Sequence, residues 1–177
     1  MSLRVLAAIV AAKAVSIFIK LFRLGAGATW PGEIALMISP NILKDLFKQF
    51  QNQGGSRVKP GMTEGGIILV AGTNGKTTTA LMLAKILETQ GGSVIHNASG
   101  ANLLNGVVSS LIGASDWFGH IKADWGVFEV DENSLGSVIF NFQFSIFNKD
   151  KQLVVVLLNL FRDQLDRYGE VDVIAEK

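Results

Sequence analysis

The sequence predicts an α/β fold: a parallel-sheet, P-loop nucleotide-binding domain preceded by N-terminal helices. Three observations carry that prediction. Ile67, Ile68, Leu69 and Val70 form a short apolar run that stops at a turn containing Gly72 and Gly75, and helical periodicity opens at Lys76. Apolar strand-like and helix-like segments then alternate through the rest of the chain, as βαβ units require. The run at 153–158 contains three consecutive valines, which suits a parallel strand covered on both faces.

With 177 residues, the chain is long enough for one substantial core. Its 16 Lys+Arg balance 15 Asp+Glu, so charge gives no argument for or against nucleic acid, and the motifs bring no nucleic-acid partner. Cysteine is absent, which excludes disulfides, thiolate metal sites and a cysteine nucleophile. The only histidines, His96 and His120, lack ligand-like spacing, so structural zinc is not expected.

Residues 2–24 read as a helix in which Lys13, Ser16, Lys20 and Arg23 share one face among Ala, Val, Ile and Phe. A spanning helix would bury Lys13 near its middle, which is costly. Three readings remain: a helix lying on a bilayer surface with its basic stripe at acidic headgroups, ordinary packing against the domain, or a secretory signal. Gly25, Gly27, Pro31 and Gly32 break this helix. A second helical segment starts near Pro31, breaks at Pro40 and continues through Ile42, Leu43, Leu46, Phe47 and Phe50. Residues 51–66 read as a linker, so that residues 1–64 form a helical segment and 65–177 the nucleotide-binding part.

After the glycine turn, residues 77–90 form an amphipathic helix ended by Gly91 and Gly92. Strands follow at 93–96, 125–130 and 153–158, and a helix at 102–115. Residues 138–147 fit either an extra strand or a helix and loop. From Gln164 the chain turns polar and enters a helix that it does not finish.

Gly72, Thr73, Asn74, Gly75, Lys76, Thr77 and Thr78 make a candidate phosphate-binding loop. Such a loop aims backbone N–H groups, a helix N-terminus and one ammonium at a single anion. Lys76 would meet the outer phosphates and the Thr77 hydroxyl the magnesium. The first glycine of the usual motif would fall at Val70, so the match is partial. A plain strand-to-helix turn with a surface lysine is the alternative. Glu129 and Asp131 end a predicted strand, where they can approach the loop and hold magnesium, or stand as solvated surface groups. Glu132 reads as a helix-start residue. Asn97 and Asn102 flank a glycine-containing turn that could hold a polar substrate or phosphate, with Asn102 as a simple N-cap in the alternative. Arg162, Asp163, Asp166 and Arg167 alternate in sign, as a site or a salt-bridged turn would.

GTNGKTTT at 72–79, NASGANLLNG at 97–106, EVDE at 129–132 and NLFRDQLDRYGE at 159–170 together resemble the Mur ligases. They are most similar to the MurT-like branch, the ligase subunit of lipid II isoglutaminyl synthase. The resemblance implies the Mur ligase central domain, here incomplete, with ATP and Mg²⁺ as cofactors. It implies phosphoryl transfer from ATP to a substrate carboxylate and attack of an amine on the acyl phosphate. By motif, Lys76 and Glu129 are the catalytic pair. Asn74 and Gly75 hold phosphate through their amides, and Thr77 and Glu129 bind magnesium. Asn97, Asn102, Asp163 and Arg167 lie on the substrate or phosphate side. Gln164 stands where many Mur ligases carry a metal-binding histidine, so a second metal position at Gln164 is in question.

For the MurT-like branch the resemblance further implies ammonia from a class I glutaminase subunit and the D-glutamate of lipid II as acceptor. It also implies a cytoplasmic site at the inner face of the cell membrane, and a membrane-bound substrate would give the basic helix at residues 2–24, read above as a candidate peripheral contact, a purpose. The family's C-terminal domain and the branch's cysteine zinc ribbon have no counterpart in this sequence, so the chain is expected to turn over poorly alone. Rival expectations are an amino-acid ligase similar to other Mur enzymes or folylpolyglutamate synthase, and a fragment that binds nucleotide or a partner without catalysis.

Overall fold

The computed structural model describes residues 1–23, 29–53, 65–97, 100–143 and 152–159, with backbone only at 51–53 and 143. Three helices come first: α1 (Leu3–Leu21), α2 (Trp30–Ile38) and α3 (Ile42–Gln53). They are followed by β1 (Gly66–Ala71), α4 (Lys76–Thr89), β2 (Val94–His96), α5 (Leu104–Ala114), β3 (Trp125–Glu129), α6 (Glu132–Gln143) and β4 (Gln152–Leu157).

The four strands of the described residues are parallel, in the order β2-β3-β1-β4. Because side chains alternate across a strand, β1 feeds two cores. Ile67 and Leu69 point into the larger one, with Phe128, Val107, Leu111, Phe47 and Phe50. Ile68 and Val70 face the smaller one, with Val127, Trp125 and the α4 residues Ala80 and Ala84. All six β1 residues are buried, which explains why its sequence is continuously apolar.

The N-terminal helices share the larger core with the sheet, through Val5, Ala8, Ile9 and Ala12 of α1 and Leu43 and Leu46 of α3. Two basic residues of α1 fasten it by satisfying carbonyls at the ends of other helices, where the helix dipole favours a cation. Arg4 Nε donates to Ile38 O at the end of α2 (2.6 Å). Lys13 Nζ donates to Ile112 O (2.8 Å) and Ser115 O (2.7 Å) at the end of α5. Lys13 is therefore a packing residue, and only part of the basic stripe remains for other contacts. Burial lowers the Lys13 pKa from its ordinary 10.5; Asp116 opposes that shift and Lys20 adds to it.

The structure resolves three open points. The break at Pro40 separates α2 from α3, as expected. Residues 138–143 belong to helix α6, because Val138 and Phe142 stack one turn apart into the core, with Phe142 edge-on to Phe47 at 5.1 Å between centroids. The helix at 102–115 starts later than Asn102: Leu103 is its N-cap residue and makes no side-chain cap bond. The valine run, expected in mid-sheet, forms β4 at the sheet edge among the described residues, paired only with β1 and with Leu157 68% exposed.

Candidate functional site

The site lies at the C-terminal ends of β1 and β3. Parity puts Trp125, Val127 and therefore Glu129 on the α4 side of β3. Glu129 is directly beside Val70 in the parallel register. The N-terminus of α4 arrives at the same edge, and Thr77 Oγ1 donates to Glu129 Oε2 at 2.5 Å. The other carboxylate oxygen, Oε1, accepts from Gly100 N at 2.9 Å. Glu129 is 3% exposed, so this carboxylate has been brought out of water to meet one hydroxyl and one amide.

The turn between β1 and α4 requires its glycines. Gly75, the residue before α4, has φ 86, a left-handed conformation. Gly72 has φ 140, and a Cβ there would come within 2.9 Å of both Asn159 N and Asn159 O. Asn159, just past β4, is the latch that makes this approach close. Thr73 N donates to Asn159 O (2.8 Å), Asn74 N to Asn159 Oδ1 (2.9 Å), and Asn159 Nδ2 to Asn74 O (3.2 Å). The Asn74 amide is thus engaged by Asn159. Gly75 provides no side-chain cap for α4, so the first turn of that helix offers backbone N–H groups suited to an anion.

Lys76 is buried. Its ammonium donates to Gly72 O and to Thr73 O (3.3 Å), and lies 3.9 Å from Glu132 Oε2. Glu132 opens α6, as its sequence position suggests, but its side chain is only 7% exposed and Oε2 accepts no hydrogen bond from the described residues. An orphaned buried oxygen facing the loop lysine is a site feature that sequence reasoning missed. Asn159 was missed as well, although it is the first residue of the 159–170 motif.

The remaining candidates separate. Thr73 and Thr77 are half-buried in the loop, Asn74 and Thr78 are exposed, and Gly72 is buried. Asn97 is buried and spends its amide on structure: Nδ2 donates to Ala101 O and Glu129 O (both 2.7 Å), and Oδ1 accepts from Glu129 N (2.9 Å). It ties the end of β2 to the end of β3 and so fixes Glu129. Asn102 contributes its carbonyl to Asp131 N at 2.7 Å. Asp131 is buried at the start of α6 and its Oδ1 accepts from Asn133 N at 3.1 Å, a helix-capping contact. Arg162, Asp163, Gln164, Asp166 and Arg167 lie outside the described residues.

Chemically, the uncapped helix start and the Lys76 ammonium suit a phosphate, and the Thr77 hydroxyl with the Glu129 carboxylate makes a hard-oxygen pair suited to magnesium. No group of three or more His, Cys, Asp or Glu capable of holding a metal occurs among the described residues. Magnesium shared with a nucleotide needs only such a hydroxyl–carboxylate pair, phosphate and water.

The Mur ligase middle domain matches residues 70–177, more than half of the chain. The chain belongs to the Mur ligase family. Subunit MurT of the glutamine-hydrolyzing lipid II isoglutaminyl synthase of Streptococcus pneumoniae is 35% identical over 151 residues, 85% of this chain and 28% of that protein. The same subunit of Staphylococcus aureus strain COL is 32% identical over 149 residues, 84% of this chain and 28% of that protein. The UDP-N-acetylmuramate–L-alanine ligase of Phenylobacterium zucineum is 33% identical over 116 residues, 62% of this chain and 19% of that protein. This Mur ligase chain thus spans less than a third of the length of these relatives. The family is one of ATP-dependent ligases of peptidoglycan synthesis.

Proposed function

We propose that this chain is the nucleotide-binding part of a ligase that activates a carboxylate as an acyl phosphate and forms an amide, with the D-glutamate of lipid II as acceptor. The carrying observation is the Thr77–Glu129 contact at the uncapped start of α4, beside the Lys76 ammonium. Magnesium, when bound there, neutralises charge on the transferring phosphoryl group. Lys76 turns from the Gly72 and Thr73 carbonyls to the outer phosphates, and the amides of Gly75 and the first turn of α4 orient them. Asn97 keeps Glu129 in place through the β3 backbone. Asn102 borders the acceptor side, and Asp163, Gln164 and Arg167 complete the proposed site from outside the described residues.

The MurT-like acceptor and ammonia nucleophile are favoured over an added amino acid by the reach of the alignments. A match over 151 of 177 residues must include part of the N-terminal helices, whereas the L-alanine ligase match covers 62% of the chain. A class I glutaminase subunit is the proposed ammonia source. The proposed location is the cytoplasm at the inner membrane face, with residues 2–24 as a peripheral contact. No helix of the described residues is long and apolar enough to cross a membrane.

Calorimetry of ATP with magnesium tests the core of this reading. Binding by the wild type and its loss in Lys76→Ala are expected, with co-purification of the candidate glutaminase as the second step. Equal ATP affinity in wild type and Lys76→Ala, with both folded, would overturn it.

A further inference from the structure

Helix α1 has two apolar faces, and the described residues cover one of them. At 100° per residue, Val5, Ala8, Ile9 and Ala12 fall on the buried side, while Val10, Ile17, Phe18 and Leu21 form a second stripe on the opposite side. Ile17, Phe18, Leu21 and Phe22 are each more than half exposed, and the Phe18 and Phe22 rings lie 4.4 Å apart. Lys13 and Lys20 project along the border between the two faces.

That border opens into a cleft of about 190 Å³ whose walls include Lys13, Ser16, Lys20, Ser109 and Trp117. Lys20 and Ser16 line it beside Lys13, whose ammonium already bonds the Ile112 and Ser115 carbonyls, and Ser109, whose hydroxyl accepts from Gly32 N and donates to Thr29 O; no carboxylate of the described residues lines it. Lys13 Nζ stands 5.8 Å from the Trp117 ring centre, and Asp116, the carboxylate acting on Lys13, is engaged by His120 Nδ1 at 2.9 Å. Trp117 lines this cleft and is half exposed, and Trp30, next to the lining residue Pro31, is 61% exposed.

We propose that this composite surface docks on a bilayer containing anionic phospholipid, the cleft seating a headgroup phosphate while Ile17, Phe18, Leu21, Phe22, Trp30 and Trp117 enter the interface. The proposal rests on, and localises, the peripheral contact of residues 2–24 in the proposed function. Charge selects the occupant. Residues 1–30 contain Arg4, Lys13, Lys20 and Arg23 and no Asp or Glu, which suits an acidic membrane. Tryptophan rings beside basic side chains belong at the headgroup level, where one end of each group is apolar and the other wet. Lys20, exposed beside the cleft, can reach headgroups while its stem lies along the apolar stripe.

Flotation of the whole chain with vesicles of phosphatidylcholine, alone or mixed with phosphatidylglycerol, tests this. Recruitment is expected only by the anionic vesicles. Lys20→Ala should weaken it about fivefold, the value of one basic residue near such a surface. Phe18→Ser combined with Phe22→Ser should weaken it more than about tenfold, through lost apolar burial. Both changes are at exposed positions, and circular dichroism verifies folding. Lys76→Ala should float like wild type, so loss of the nucleotide reading leaves this proposal standing, and the converse holds. Three results would overturn it: no recruitment by anionic vesicles, recruitment insensitive to both variants, or a concentration-dependent dimer dissolved by the double phenylalanine variant without vesicle binding. Binding of inorganic phosphate alone, with no vesicle recruitment, would overturn it as well.

Discussion

Glu132→Gln is expected to tighten ATP binding in the absence of magnesium. The Lys76 ammonium and the Glu132 carboxylate are 3.9 Å apart, with side chains 10% and 7% exposed. At an effective dielectric of about 20, two unit charges at that separation attract by roughly 4 kcal/mol. To reach an outer phosphate, Lys76 must give up much of that attraction, and the carboxylate then faces the incoming anion. Glutamine keeps the shape, removes the attraction in the free state and removes the repulsion in the bound one. The Gly72 and Thr73 carbonyls still hold the lysine before nucleotide arrives, and desolvation offsets part of the gross term. A net gain of about one third, near 1.4 kcal/mol, corresponds to about tenfold tighter binding. Calorimetry with ATP and a chelator measures it, with Lys76→Ala as the baseline. Unchanged or weaker affinity in a folded Glu132→Gln protein would refute the idea that this carboxylate competes with phosphate for Lys76.

Lys13→Met removes two charge-assisted bonds to the end of α5 and should lower stability by about 2 kcal/mol, a fall of about 4–8 °C in melting temperature. Burial lowers the Lys13 pKa, so between the folded value and 10.5 the unfolded chain binds more protons. Stability should therefore rise with pH through that alkaline window, and Lys13→Met should abolish the rise in pH-dependent denaturant melts. Asp116 has its pKa lowered chiefly by the His120 backbone N–H, so its contribution is present above 3.8 and is lost as pH falls through the folded value. Asp116→Asn should flatten that part of the acid limb. Gly72→Ala forces a Cβ against the Asn159 backbone in a glycine-favouring conformation and should cost about 1–3 kcal/mol, with weaker ATP binding by calorimetry.

The strand, glycine turn and helix from Ile67 onward were legible because they are written locally: an apolar run, two glycines with positive φ and a helix-forming segment follow one another. The pairing of Thr77 with Glu129 was legible from topology, since strand ends gather at one edge of a parallel sheet. What depended on distant partners was not. Lys13 looked like one member of a surface stripe, yet its bonds go to carbonyls 99 and 102 residues away. Glu132 fits the acidic preference of any helix start, and nothing local reports that its side chain turns inward to Lys76. The 138–147 segment was ambiguous because closely spaced phenylalanines satisfy both periods; the contact of Phe142 with Phe47 on α3 accompanies a helix over 138–143, and 144–147 lie outside the described residues. The valine run of β4 suggested burial on two faces, yet among the described residues the strand lies at the sheet edge with Val154 and Val155 exposed, because strand order is set by partners that a local run does not report.

Asn159 gives the outermost described strand a hold on the glycine turn. Because Asn159, two residues past β4, clasps Thr73 and Asn74, the curvature of the turn between β1 and α4 is set from the periphery of the described sheet as well as from its centre. Peeling that margin away would release the loop while β1, α4 and β3 stayed assembled, so affinity for the triphosphate would fade ahead of global unfolding.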